Sequence, residues 1–297
     1  MLLDRKMPLI YIFSKIKTDL FYVLIIGLLV CSITNKLIYI IPVIPLSVPA
    51  FLGTAMSVIL SFKLSQSYDR WWEARKIWGN IVNESRNLVL QLQALLKSGN
   101  EEGIRKIAFR QIAWSYCLGQ SLRKLNPIEG LDKYLDGNDL SFLKNHKNVP
   151  LAILKLNNDH IAELRRGEQI DRFAHIQINN TIVNLTNAMG MAERIKSTVF
   201  PVTYRLFLHL AIYLFVVLLS ISLRGLESYF EIPLLLVIAA LFLLLERTAT
   251  LLQDPFSNAP TDTAMTAIAN TIETNIKQLI GETDIPDEIQ PSDFYIK

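Results

Sequence analysis

Cysteine and histidine are scarce in this chain of 297 residues, with two of the first and four of the second. Cys31 sits in an apolar run and Cys117 in an amphipathic one, without metal-ligand or redox spacing, so both read as buried, reduced core residues. No two of His146, His160, His175 and His209 stand three or four apart, and none pairs with a cysteine, which leaves zinc or iron without a ligand set. An excess of one charge is also missing: 30 Lys and Arg face 27 Asp and Glu, a net charge of +3, and no basic block forms a phosphate-binding stripe. Nucleic-acid binding is set aside on that ground. There is no glycine-rich phosphate loop, no nucleophile elbow and no His-Glu-x-x-His, so neither an enzyme nor a cofactor is expected. No cleavable signal peptide is expected either, because Asp4, Arg5, Lys6, Lys15, Lys17 and Asp19 crowd the first twenty residues.

What the chain has in plenty is apolar sequence. Hydrophobic residues make up 51% and the mean hydropathy is +0.30, yet 19% of residues are charged. That balance fits one membrane domain with a large extension in water. The expected fold class is an all-α membrane protein with four transmembrane helices and a large cytoplasmic helical layer.

Residues 1–19 are basic and mildly amphipathic, the pattern of a helix lying at a membrane surface. Two spans are expected over 20–62. The first is the aliphatic run from Leu20 to Ile33, and the second ends an uncharged run from Leu37 to Phe62. Pro42, Pro45 and Pro49 break that run, so an irregular stretch over 37–49 followed by a helix from about 50 is predicted. Irregular backbone at membrane depth needs cover from protein or a water-filled cavity. Residues 63–203 read as the cytoplasmic layer, with helices over 72–97, 104–122, 151–165 and 169–199 and a turn-rich passage at 126–150. The third and fourth spans fall within 204–247. His209, inside the third, is flagged as an ionisable group at membrane depth. Residues 248–280 read as a last amphipathic helix after Asp254-Pro255-Phe256, and 281–297 as an extended acidic tail, with Phe294, Tyr295 and Ile296 suited to docking. Arg5, Lys6, Lys15 and Lys17 before the first span, and Lys63, Arg70, Arg75 and Lys76 after the second, put both termini and the helical layer in the cytoplasm, with the spans in the inner membrane.

The stretch that organises the chain is Pro49 to Asn80, where an apolar helix continues into a charged, aromatic one. At helical spacing it carries a small stripe, Gly53, Ser57, Ser61 and Ser65, beside a second stripe, Thr54, Val58 and Phe62. Small residues let helices approach closely in a membrane. Copies packed around an axis through the serine face would turn Thr54, Val58 and Phe62 into stacked rings lining a narrow pore. On the pattern alone, the plainer reading is that Val58 and Phe62 simply face lipid or a core. Asp69 and Glu73 stand four apart among Arg70 and Arg75, which helical ion pairing explains without catalysis.

The run SYDRWWEARKIWGNIVNESRN over 67–87, directly after a small-residue membrane helix, resembles the bestrophin family of ion channels, especially its bacterial branch. Two more stretches agree in order and spacing: MAERIKSTVFPVTYRLFLHL at 191–210 and ERTATLLQDPFSNAPTDTAMTAIANTIETN at 246–275. The family signature residues here are Arg70, Trp71 and Trp72, with Asp254, Pro255 and Phe256. The resemblance implies a homopentamer in the lipid bilayer passing monovalent ions, with an apolar neck matching Thr54, Val58 and Phe62 and a second, cytoplasmic constriction assigned to no residue. Thr54 departs from the Ile or Phe of the family pattern and makes its ring smaller and wetter, leaving the dewetting barrier to Val58 and Phe62. Animal members hold calcium in an acidic run after the Pro-Phe box. Ser257 to Asp262 carries one carboxylate, so calcium gating by that run is not expected. Members of the family pass chloride or monovalent cations. Lys63 favours anions if it faces the lumen, and Asp69 and Glu73 favour cations. The alternative is a non-conducting scaffold or sensor that binds a cytoplasmic partner.

Overall fold

The computed structural model describes residues 8–37, 40–198, 201–226, 228–292 and 294–296. Among them the regular structure is helical: α1 (Leu9–Lys36), α2 (Ser47–Leu95), α3 (Glu101–Leu122), α4 (Gly137–Leu143), α5 (Val149–Arg166), α6 (Arg172–Ser197), α7 (Val202–Ser222), α8 (Ser228–Gln253) and α9 (Met265–Leu279), with a 3₁₀ turn at Leu131–Lys133. An isolated bridge joins Ser292 and Tyr295 in the tail. The chain divides into two compact units. Unit 1 gathers Trp71–Thr198 and Asp254–Lys297, and unit 2 gathers Arg5–Arg70 and Val199–Gln253. The divisions at 70, 198 and 253 differ from the compositional breaks expected at 62, 203 and 247. Composition marks where apolar sequence stops, whereas packing marks where side chains change neighbours.

Unit 2 holds helices long and apolar enough to cross a membrane in Phe13–Thr34, Thr203–Ser222 and Tyr229–Gln253, and α2 supplies a fourth. Their shared core contains Ile16, Val23, Met56, Ile212, Phe215, Leu235 and Leu243. Contact is close where small residues allow it: a Cβ added at Gly27 would lie 2.8 Å from Leu235 Cδ2. Phe215 and Phe242 meet edge to face at 5.2 Å. Outward, Phe21, Leu28, Leu29, Leu206, Leu214, Val237 and Leu241 are exposed, a surface suited to hydrocarbon. The expected surface helix and first span are one continuous helix, α1. Ile16 is buried in the unit 2 core, and no Pro or Gly breaks the helix between residues 9 and 26. Asp19 is held where α1 meets α7, accepting from Tyr213 Oη at 3.2 Å.

The proline-rich stretch is irregular over 41–46 and α2 begins at Ser47, with Pro49 in the first turn where a missing N–H costs least. Residues 38 and 39 lie outside the described residues. The cover this backbone needs comes partly from Arg224, whose Nη1 donates to the Ile41 carbonyl at 2.9 Å. Another finding concerns α8. It runs past the expected end of the fourth span at 247 to Gln253, and α9, the helix expected after Asp254-Pro255-Phe256, begins only at Met265. Asp254-Pro255 and Ala259-Pro260 hold the chain out of helix between them.

Unit 1 is a layer of amphipathic helices around one core that includes Trp78, Ile81, Leu88, Ile112, Trp114, Ile153, Ile178, Leu185, Phe256 and Ile272. The free cysteines Cys31 and Cys117 are buried as expected. Arg110 donates from Nε and Nη2 to the two carboxylate oxygens of Asp139, 2.6 Å each, and from Nη1 to the Leu156 carbonyl. The passage at 126–150 is more ordered than its turn residues predict. Asp136 caps α4 by accepting from the Asp139 N–H at 2.8 Å, so Gly137-Asn138 opens a short helix. Asn148 and Asp171 cap α5 and α6 in the same way.

Candidate functional site

In its unit 2 portion, helix α2 sorts its residues by face. Gly53, Met56, Leu60, Lys63 and Ser67, spaced three or four apart, are buried against the unit's own helices. Gly53 approaches α7 so closely that an added Cβ would lie 3.1 Å from Phe215 Cε2. The small-residue stripe is thereby divided: Gly53 serves packing within the chain, while Ser57, Ser61 and Ser65 are exposed. The second stripe is exposed throughout, with Val58 at 52% and Phe62 at 65%, and Thr54 beside them. Thr54 Oγ1 donates to the Ala50 carbonyl at 2.9 Å, so its one hydroxyl proton is engaged on its own helix.

The three charged candidates have different surroundings. Lys63 does not meet the condition set for it. It is fully buried, with Nζ 2.6 Å from Glu246 Oε1 and 3.2 Å from Thr250 Oγ1, both on α8. The reason is rotational: on a helix of about 3.6 residues per turn Lys63 stands roughly 140° around from the midpoint of the Thr54, Val58 and Phe62 stripe. Thr250 also donates to Glu246 Oε1 at 2.8 Å, closing a buried triangle of polar groups. Asp69 is exposed and has no ion-pair partner among the described residues. In the unit 1 portion, Glu73 is paired with Lys76 at 2.6 Å on a partly exposed surface.

The signature residues are joints. Arg70 Nε donates to the Gln253 carbonyl at 2.6 Å, satisfying an orphan acceptor at the C-terminus of α8. In unit 1, Trp71 Nε1 donates to the Thr261 carbonyl at 2.9 Å, and its ring stacks near Trp72 with centroids 6.3 Å apart. Asp254 accepts the Phe256 N–H at 3.2 Å, fixing the turn that sends Phe256 into the core, and pairs with Lys196 at 3.0 Å. Lys196 Nζ also reaches the Phe256 carbonyl at 3.2 Å. His209 Nδ1 lies 3.2 Å from the Arg205 carbonyl, one turn back on α7.

Sequence reasoning missed two features. Glu246 was read only as the end of a span, and nothing local marks it as the partner of a residue 183 positions earlier. Phe173, on α6, is 81% exposed, in line with exposed Ile176 and Val183. An extra apolar position beside the buried set Ala174, Ile178, Thr181, Ile182 and Leu185 was the available signal.

Residues 10–278 match the family described as Bacterial/Fungal Bestrophin protein. The voltage-dependent anion channel-forming protein YneE of Escherichia coli O157:H7 is 31% identical over 246 residues, 83% of this chain and 80% of that protein. The voltage-dependent anion channel-forming protein RSc3414 of Ralstonia nicotianae is 27% identical over 248 residues, 83% of this chain and 81% of that protein. A crystal structure of a bacterial bestrophin homolog from Klebsiella pneumoniae superposes with a TM-score of 0.83 at 28% identity, covering 90% of this chain and 99% of that one.

Proposed function

This chain belongs to the bacterial and fungal bestrophin family, and from that premise we propose that it is a homopentameric channel passing small monovalent ions through a neck of Thr54, Val58 and Phe62 rings. The observation that carries the reading is the exposure of Val58 and Phe62 on a helix whose opposite face is already packed. In one chain these side chains have no core to join, and five copies around an axis give them one. Rings of this kind gate by dewetting. Signature residues Arg70, Trp71, Trp72, Asp254, Pro255 and Phe256 hold structural joints, so mutating them alters assembly before it alters conduction.

For the ion sign, the geometry favours cations. The ammonium of Lys63 is engaged by Glu246, which leaves Asp69 as the uncompensated charge on the exposed side of α2 after Phe62, while Glu73 is offset by Lys76. Chloride conduction is the second reading, favoured by the names of the anion channel-forming relatives. For the second constriction we take Phe173, the most exposed large apolar residue of unit 1 among the described residues. Unit 1 is assigned to the cytoplasm with both termini, in an inner membrane, on the strength of the basic residues flanking the spans.

The test is the reversal potential of the purified protein in a planar bilayer under a sodium chloride gradient, with and without Phe62→Ala. Reversal near the sodium equilibrium value supports the cation reading, and reversal near the chloride value replaces it with the anion reading. Absence of current from both proteins overturns the channel reading in favour of a non-conducting scaffold or sensor.

A further inference from the structure

A cavity of about 740 Å³ opens within unit 1, walled by α3, the 3₁₀ turn, α9 and the chain that follows α9. Its size falls in the range of small-molecule sites, roughly 300–1,000 Å³. One wall is aromatic. Tyr116 and Tyr134 stack nearly parallel, with centroids 5.8 Å apart, and Phe109 lies 6.5 Å from Tyr134. Both tyrosine hydroxyls donate to Glu273 Oε2 at 2.8 Å, and Lys277 donates to Glu273 Oε1 at 2.9 Å. Burial and the Glu273 carboxylate push both phenol pKa values far up, so the protons stay on the two phenols and point at Glu273, and ring faces and lone pairs are left for a guest.

All but two of the charged side chains around the cavity are engaged with one another. Arg105 is taken by Glu282 at 2.5 Å, and Lys277 by Glu273 with Asp284 at 3.6 Å. Glu129 and Lys133 remain, opposite in sign and without ion-pair partners among the described residues. Gln120 adds a buried side-chain oxygen with no hydrogen-bond partner, an acceptor that an N–H donor would satisfy. A ligand of one charge would satisfy half of this set.

We propose that the cavity binds a zwitterionic amino acid with an aromatic side chain, its ammonium toward Glu129 and Gln120, its carboxylate toward Lys133, and its ring against Phe109, Tyr116 and Tyr134. The proposal goes beyond ion conduction and does not depend on it. Recognition rests on the pairing of two opposite charges with an aromatic wall. Either charge alone, on an exposed rim, contributes modestly.

Isothermal titration calorimetry on the full chain in neutral detergent tests this, with L-phenylalanine as the probe and phenethylamine and 3-phenylpropionate as analogues that keep one charge each. Phenylalanine should give a saturable heat at one site per chain, and each analogue should bind about fivefold more weakly or worse. Glu129→Gln should erase the preference over 3-phenylpropionate, and Lys133→Met the preference over phenethylamine. Both side chains are exposed, so neither substitution should disturb folding. No saturable heat, an analogue that binds as tightly as phenylalanine, or variants that bind phenylalanine as tightly as the parent would overturn the proposal. None of these readings involves current, so the channel reading stands or falls separately.

Discussion

Among the described residues each unit buries one long-range ion pair, and the two pairs differ in kind. In unit 1, Arg110 meets Asp139 through two parallel hydrogen bonds and adds a third to a carbonyl, the geometry in which a guanidinium repays most of its desolvation. In unit 2, Lys63 meets Glu246 through a single contact supplemented by Thr250, on helices whose outer surfaces are apolar. A lone ammonium contact inside such a unit leaves less margin, because the alternative to pairing is a bare charge near hydrocarbon. The comparison separates a pair that fixes a soluble core from one that fixes the rotation of a helix. Lys63 follows Phe62 directly, so whatever holds Lys63 also aims Phe62.

The largest expected effect follows from breaking one partner at a time. Glu246→Ala or Lys63→Met should cost about 3–5 kcal/mol, as should Arg110→Ala in unit 1. Thermal unfolding of the purified protein measures all three. The double variant Lys63→Met with Glu246→Met should recover most of the loss, since two apolar side chains of similar length fill the same space. Failure of that recovery would make the pair more than a rotational anchor, because the unit would then depend on its charges.

The next effects concern the exposed face of α2. Phe62→Ala should raise single-channel conductance on the order of tenfold, a barrier change of about 1.4 kcal/mol, with Val58→Ala smaller and Thr54→Ala smallest. Single-channel recording gives the order directly. If Thr54 proved dominant, its engaged hydroxyl would not describe the conducting state. Asp69→Asn should weaken cation preference by about threefold at low salt, and the effect should fade as the Debye length falls from about 30 Å at 0.01 M to about 10 Å at 0.1 M. A salt-independent effect of Asp69→Asn would point to a local contact rather than a field.

Much of this was legible in the residues. The 3.6-residue period gave the helices, the uncharged runs gave the spans, and the stripe of Thr54, Val58 and Phe62 was readable because lipid-depth helices carry small and large residues on separate faces. The face of Lys63 was left open because it depends on which helix lies behind it, and its partner on that helix, α8, comes 183 residues later in the sequence. The extent of α8 was hidden for a related reason: apolar content falls after Leu245, while the helix continues until Asp254-Pro255 stops it. The cavity beside Glu273 was invisible, since Tyr116, Tyr134 and Glu273 reach one another only through the packing of α3 and α9.

The smallest effect sharpens the contrast between the units through their helical glycines. Gly53 is tight for a methyl group, because Phe215 Cε2 would lie 3.1 Å away and its ring, which would have to give, is itself held against Phe242. Gly190, inside α6, has nothing within 4 Å. Gly190→Ala should therefore stabilise unit 1 by about 0.5–1 kcal/mol, the ordinary gain of alanine over glycine inside a helix. Gly53→Ala should lose that gain to the displaced ring and come out near zero or destabilising by about 1 kcal/mol. Unfolding midpoints of the two variants, measured side by side, check the signs. A stabilising Gly53→Ala would mean that α2 and α7 can slide apart by a few tenths of an ångström. The close approach that holds the Phe62 face outward would then be softer than the buried pair at Lys63 requires.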